Sequence, residues 1–244
     1  MPDVATQRAK AELLRELHHE PPVLVLPNAW DVTSAVTFAA LDGCRAIATT
    51  SSAIANAHGY PDGEHIPREE MLATVGRIAA AVELPVTADL EAGYGDAAWT
   101  AEAAIEAGAV GLNLEDALGP VEEHMTRIRV VRAVAEARGV PLVINARTDV
   151  FLRGDGNVDE AVRRGNAYLE AGADCVYPIM VTEAGAIERL AAEIHGPINV
   201  LQRPGVPGIA ELERLGVARV SVGSGLFRAA LAHATDLARE LLRA

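Results

Sequence analysis

An α/β fold, a single (β/α)8 TIM barrel, is predicted by three observations on the amino-acid sequence. Short apolar, β-branched runs alternate with Ala-, Glu- and Arg-rich stretches along the whole chain. Four of these runs follow a proline: Pro22 before 23–26, Pro85 before 86–88, Pro141 before 142–145 and Pro197 before 198–201, at spacings of 63, 56 and 56 residues. Between them, four further runs follow a helical stretch that ends in glycine: Gly43 before 46–49, Gly108 before 111–114, Gly172 before 175–177 and Gly216 before 219–222.

Each element has a physical reason. Glycine ends a helix by taking the left-handed conformation at little cost. Proline halts helix propagation and opens a strand where no ladder donor is needed. The order Pro-strand, Gly-strand, repeated four times, gives eight strands, each followed by a helix. Near-continuous apolar strands alternating with helices argue for a parallel sheet buried on both faces. Eight units without a large insertion argue for closure into a barrel. A doubly wound open sheet is the alternative, and it explains the fourfold pattern less well. The first twenty residues carry Arg8, Lys10, Glu12, Arg15 and Glu16 and read as an amphipathic helix. Residues 1–244 are thus predicted to be one barrel domain with an N-terminal helix.

Composition narrows the function. The 244 residues are 50% hydrophobic with a formal charge of −13 and no basic run. Nucleic acid and anionic membranes both require a positive patch, so neither is expected as a partner. No stretch is long and apolar enough for a membrane span. Cys44 and Cys175 are too few for a disulfide framework and lack metal-ligand spacing. A cytoplasmic location is expected.

In a barrel of this kind the chemistry sits at the carboxyl ends of the strands. The third strand ends at Asp89-Leu90-Glu91-Ala92-Gly93-Tyr94-Gly95, the fourth at Glu115-Asp116 and the fifth at Arg147-Thr148-Asp149. Asp89 and Glu91, two residues apart, are expected on one side of their strand, with Glu115 at the same height on its neighbour. Three converging carboxylates repel one another unless a cation joins them. Hard oxygen ligands suit Mg2+, with Mn2+ as a substitute. Arg147 offers a planar fork for a substrate carboxylate.

At these residues the sequence resembles the isocitrate lyase/phosphoenolpyruvate mutase superfamily. The resemblance is carried by Leu26-Pro27-Asn28-Ala29-Trp30-Asp31, the Thr49–Ser52 turn, Gly59-Tyr60-Pro61-Asp62, the 89–95 element, Leu114-Glu115-Asp116 and Asn145-Ala146-Arg147-Thr148. It implies C–C or P–C bond chemistry beside a 2-oxo acid through an enolate. By the same likeness Asp89 would bind Mg2+ directly, and Glu91, Glu115 and Asp62 would hold its waters. Thr50 and Ser51 would donate to the substrate, Arg147 would balance its charge, and Trp30, Gly93 and Tyr94 would line its pocket.

The departures are informative. The superfamily's lyases carry a Lys-Lys-Cys-Gly-His loop with an acid/base cysteine, and this chain has none. Cys44 and Cys175 fall at strand starts and read as core residues. The segment after Glu115 runs through Leu118-Gly119-Pro120 into a helix, so any lid is short, and His124 reads as a solvated histidine near that helix's start. The mutase-type Lys and Asn of that loop are missing too, and Glu91 stands where aspartate is commoner. The chain reaches Ala244 soon after its last helix, where relatives add a segment exchanged between subunits; a homo-oligomer, dimer or tetramer, is expected.

The expected activity is a Mg2+-dependent lyase or decarboxylase of a small 2-oxo or 2-hydroxy dicarboxylate. A P–C mutase or hydrolase, an oxo-acid-binding barrel with little catalysis, and a phosphate-binding barrel using Gly223-Ser224-Gly225 are the alternatives. Gln202 and Arg203 are read as selecting the distal end of the substrate, with a surface ion pair as the other reading of Arg203.

Overall fold

The computed structural model describes residues 3–243. In chain order they form α1 (Val4–Glu16), β1 (Leu24–Leu26), β2 (Asn28–Ala29), α2 (Val32–Ala39), β3 (Ile47–Thr49), α3 (Ser51–Ala57) and α4 (Arg68–Ala81). Next come β4 (Val86–Asp89), α5 (Ala97–Glu106), β5 (Gly111–Glu115), α6 (Val121–Ala137), β6 (Val143–Thr148), α7 (Val150–Arg153) and α8 (Val158–Glu170). The last elements are β7 (Cys175–Pro178), α9 (Ala184–Glu193), β8 (Asn199–Leu201), α10 (Ile209–Arg214), β9 (Arg219–Ser221) and α11 (Gly225–Leu241).

This is an α/β fold in which every strand pair is parallel. The strands run in two sheets, ordered β1-β9-β8 and β2-β3-β4-β5-β6-β7. Each predicted strand run overlaps an observed strand, and the first continues past Pro27 as a second short strand, β2. Proline has no N–H for the ladder. Its carbonyl still accepts Ala48 N at 3.1 Å, while β1 pairs with β9 and β2 with β3. Val176 of β7 bridges to Ile198, the residue before β8.

Two connections hold a pair of helices where one was predicted. Gly59, Pro61, Gly63 and Pro67 separate α3 from α4, and Gly154 and Gly156 separate α7 from α8. At Gly154 a Cβ would come 2.6 Å from the Val150 carbonyl, so no larger residue fits that exit.

Strand alternation sends Ala88, Leu112, Leu114, Ile144 and Ala146 into a core shared with the helices, and Val176, Val200 and Val220 into a second apolar cluster. The opposite face carries the chemistry. The predicted N-terminal helix is present as α1, docked at the amino ends of the strands. Gln7 Nε2 donates to the carbonyls of Ile105 and Ala109 at 2.8 and 2.9 Å. Two clefts, about 420 Å3 beside Lys10 and Glu106 and about 510 Å3 beside Arg15 and Arg132, lie against α1. Among the described residues no helix is long and apolar enough to cross a membrane.

Candidate active site

Residues at the carboxyl ends of β3, β4, β5 and β6 meet in one acidic cluster. Asp89 closes β4. Its Oδ2 accepts both the backbone N and the Oγ of Ser51, at 3.1 and 2.8 Å, and its Oδ1 accepts Asn113 Nδ2 at 3.3 Å. Thr49 Oγ1 accepts the Asp89 N–H at 2.9 Å, which fixes the strand end. Ser51 is therefore committed to Asp89, whereas the sequence placed it on the substrate. Thr50 caps α3, its Oγ1 accepting Ala53 N at 3.4 Å. An acceptor role leaves the hydroxyl proton free to donate.

Glu91 corrects one expectation. It is not on the strand with Asp89: β4 ends at Asp89 and Glu91 has a φ of 53°. The left-handed turn swings its carboxylate towards the 62–64 loop, where Oε2 accepts Glu64 N at 2.7 Å and Oε1 is buried without a partner. Burial pushes the Glu91 carboxyl up to about 8, and the charges of Asp89 and Asp62 push the same way. The three acids converge after all, though by a turn and not by strand alternation. Asp62 itself is exposed, with Oδ1 accepting Gly63 N at 3.1 Å.

The Gly93-Tyr94-Gly95 turn is left-handed throughout, with φ of 90°, 51° and 71°. Gly93 could not carry a side chain easily, since its Cβ would meet Leu114 Cδ1 at 3.2 Å. Tyr94 N donates to Glu64 Oε1 at 2.7 Å, and the Tyr94 hydroxyl is buried without a partner. Burial, then the Glu91 charge, raises that phenol above its ordinary range.

Glu115 and Arg147 stand opposite each other in register on β5 and β6. Arg147 Nη1 lies 2.5 Å from Glu115 Oε2, and Nε lies 2.7 Å from Asp149 Oδ1. Burial lifts the Glu115 carboxyl to about 7 even though Arg147 opposes the shift. Burial lowers the Arg147 guanidinium's hold on its proton, but Glu115 and Asp149 outweigh it and raise that hold. Trp30 packs edge-on against Phe38 and Phe227, with centroids 6.0 and 5.3 Å apart, so an aromatic cluster holds it beside α2 and α11.

Glu64, Asn113 and Asp149 were missed in the sequence. Strand alternation carries a signal for two of them, since Asn113 lies two residues before Glu115 and Asp149 two after Arg147. Glu64 depends on a left-handed loop, φ 61°, that carried no signal beyond Gly63.

Two further expectations are corrected. His124 is fully buried, not solvated: it packs edge-on against Tyr168 at 4.5 Å with neither ring nitrogen hydrogen-bonded. It belongs to a clamp in which Asp116 Oδ2 accepts Tyr168 Oη at 2.7 Å and Arg164 Nη1 at 2.9 Å. Asp116 Oδ1 accepts Leu118 N and Asp149 N at 2.8 and 3.0 Å, tying down the short turn after β5. Arg203 makes no ion pair among the described residues, and its Nη1 lies 2.7 Å from Met180 Sδ. Gln202 Oε1 is buried without a partner. Cys44 and Cys175 lie at strand starts as read, and burial raises both thiols. Gly223-Ser224-Gly225 starts α11.

Among the described residues no three His, Cys, Asp or Glu side chains form a close-set metal cage. The donors that Asp89, Glu91 and Glu115 offer are carboxylate oxygens, the hard ligand type that Mg2+ takes. The unpartnered Glu91 Oε1 and the crowding that raises its carboxyl mark a site short of positive charge.

The chain has relatives among known proteins. An oxaloacetate decarboxylase of Pseudomonas aeruginosa is 34% identical over 198 residues, covering 74% of this chain and 67% of that one. The crystal structure of a phosphonomutase-like protein from Burkholderia cenocepacia J2315 superposes with a TM-score of 0.90 at 36% identity, covering 96% and 99% of the two chains. Phosphonopyruvate hydrolase, solved with oxalate and Mg2+, shares the fold at a TM-score of 0.85 and 24% identity, covering 96% and 87%. The family model described as phosphoenolpyruvate phosphomutase matches residues 14–242. This chain belongs to that family, within the isocitrate lyase/phosphoenolpyruvate mutase superfamily, where its homologues include a lyase and a decarboxylase.

Proposed function

We propose that this chain is a Mg2+-dependent carbon–carbon lyase, in the first instance a decarboxylase of a small 2-oxo dicarboxylate. The observation that carries the reading is the convergence of Asp89, Glu91 and Glu115 beside an Arg147 already held in place. Asp89 would hold the metal directly, and Glu91, Glu115 and Asp62 would hold its waters. When bound, the metal supplies a Lewis-acid charge at the 2-oxo group.

The chain's own groups do the rest. Arg147 is held by Glu115 at Nη1 and by Asp149 at Nε, and its guanidinium would meet a ligand carboxylate with little further ordering. Thr50 Oγ donates to the ligand beside Asp89, and Trp30, Gly93 and Tyr94 wall the pocket. Decarboxylation sends the electron pair of the breaking C–C bond into an enolate, CO2 leaves, and one proton from solvent completes the product. Solvent suffices as the donor, which fits a chain whose two thiols sit at the far ends of the strands. Closure of the strands into one eight-stranded barrel around this site is supported by the split first strand, shared between the two sheets, and by the Val176–Ile198 bridge.

The first test measures thermal stability with oxalate, pyruvate, oxaloacetate, 2-oxoglutarate and phosphonopyruvate, with and without Mg2+. Oxalate should stabilise only in the presence of metal, and oxaloacetate should then be turned over to pyruvate. Metal-independent binding, or none, would sink the reading. The Burkholderia cenocepacia likeness favours P–C chemistry as a second reading, for which phosphonopyruvate would be the acid consumed.

A homo-oligomer is also proposed. The amphipathic helix α11 buries no residue, and Leu231, Leu237 and Leu241 are 52%, 48% and 78% exposed. Light scattering on the wild type and a Leu231→Glu, Leu237→Glu double variant checks it, the variant dissociating and a monomeric wild type refuting it.

A further inference from the structure

Behind the acids, towards the amino ends of the strands, lies a polar layer. Alternation puts Thr87 on the face of Asp89, Asn113 on that of Glu115, Asn145 on that of Arg147, and Arg219 on that of Ser221. Arg219 is 1% exposed and ranks among the largest fully buried side chains. Its Nη2 reaches Asn113 Oδ1 at a long 3.5 Å, and Nε and Nη1 have no partner among the described residues. No carboxylate there comes within ion-pair distance. A buried guanidinium without a counter-ion is destabilising, and an apolar side chain of similar volume would avoid that cost. Packing alone therefore gives no reason for arginine here.

The connection to the site runs through one residue. Asn113 accepts Arg219 Nη2 on Oδ1 and donates Nδ2 to Asp89 Oδ1 at 3.3 Å; Asn145 Nδ2 also donates to Asn113 Oδ1, at 2.7 Å. Burial lowers the Arg219 guanidinium's hold on its proton, and Cys175, Tyr177 and Asp89 nearby oppose that shift.

We propose that Arg219 is an electrostatic positioning residue: a fixed positive charge, one hydrogen-bonded residue away from Asp89, that draws the anionic oxo acid into the site and loosens the grip on the cation. This rests on the reading of Asp89 as the metal-bearing carboxylate. In a site with three acids the charge has a clear use. Without it the acids bind the metal more tightly, and an anion arriving in the same pocket meets more net negative charge.

The test reads two affinities with opposite predicted signs. Titration calorimetry gives Mg2+ affinity alone and oxalate affinity at saturating Mg2+, for wild type, Arg219→Met and Arg219→Lys. Arg219→Met should bind Mg2+ tighter and oxalate weaker, each by about fivefold. Arg219→Lys should return both towards wild type. A merely structural role would weaken both in Arg219→Met, or move neither, and either result overturns the proposal. Should Arg219→Met not fold, Arg219→Gln keeps a hydrogen-bonding amide without the charge and carries the same sign test. A wild type that binds neither Mg2+ nor oxalate would refute the Asp89 reading itself, which separates the two failures.

Discussion

Glu115 and Arg147 face each other in register across β5 and β6, with Oε2 and Nη1 2.5 Å apart, and Asp149 holds the same guanidinium from its other edge at 2.7 Å. The Glu115 and Arg147 side chains are 12% and 15% exposed and Asp149 is fully buried, so the triad is only weakly screened. It is anchored in turn by Asp116, which accepts the Asp149 N–H. A guanidinium fixed in this way loses little further freedom when a ligand carboxylate arrives.

Arg147→Met should show what the triad does for the fold. It leaves Glu115 and Asp149 buried without their cation, and breaking a buried pair typically costs about 3–5 kcal/mol. Urea unfolding of the apo protein is the measurement. Arg147→Lys should recover part of the loss, since it restores the charge without the two-edged contact. An unchanged unfolding midpoint in Arg147→Met would show that the pair is not a determinant of stability.

Asp89→Asn should separate binding from folding. Removing the Asp89 charge relieves the repulsion that raises Glu91 and Glu115, so the apo variant should melt no lower than wild type. Its Mg2+-dependent stabilisation by oxalate should vanish; in wild type that gain is about 2.7 kcal/mol at a hundredfold excess over the dissociation constant. A full-sized shift in Asp89→Asn would move the metal to other residues.

Most of the fold was legible because its punctuation is chemical. Pro85, Pro141 and Pro197 precede strands and Gly108, Gly172 and Gly216 end helices, all six roles resting on local backbone preference, whereas Gly43 lies beyond the C-cap of α2 at Ala40. What escaped was non-local. The first run ends before Pro27, and only the pairing of β1 with β9 and β2 with β3 shows that the ladder changes partner there. Asp89, Glu115 and Arg147 stood out as charged residues at strand ends. Glu91 lies in a left-handed turn and not on the strand that spacing predicts, and the placement of Glu64 and Arg219 depends on a left-handed loop and a buried contact that no spacing rule encodes. His124 was misjudged because a helix-start histidine is usually wet, whereas here Tyr168 and the Asp116 clamp cover it.

That burial gives a pH prediction. Burial, then Arg127, lowers His124 from 6.5 to about 3, and burial, then Arg219, lowers His18 from 6.5 to about 4. A depressed folded-state value means that the fold prefers the neutral ring. The stability this contributes is fully present above pH 6.5 and drains away as pH falls towards 3. Each histidine adds a slope of up to about 1.4 kcal/mol per pH unit in that window. His124→Phe keeps the edge-on packing against Tyr168 and should flatten the acid limb of a denaturation series. An acid limb equally steep in the variant would show that other groups govern it.

Gly111→Ala tests the docking of α1 at the strand starts. A Cβ there would lie 2.9 Å from the Val143 carbonyl oxygen, 3.0 Å from Leu14 Cδ2 and 3.0 Å from Thr87 Oγ1. Leu14 and Thr87 are side chains that can shift, but the carbonyl belongs to the β5–β6 ladder and cannot move without straining it. Overpacking of this kind typically costs about 1–3 kcal/mol. The melting temperature should therefore fall. The acid cluster, four residues further along β5 at Glu115, should keep its Mg2+ and oxalate affinities at temperatures where the variant is folded. Loss of stability with ligand affinity retained would place α1 as a support for the strands and not as part of the site; parallel loss of both would mean that strain at Gly111 reaches the register of Glu115 and Arg147.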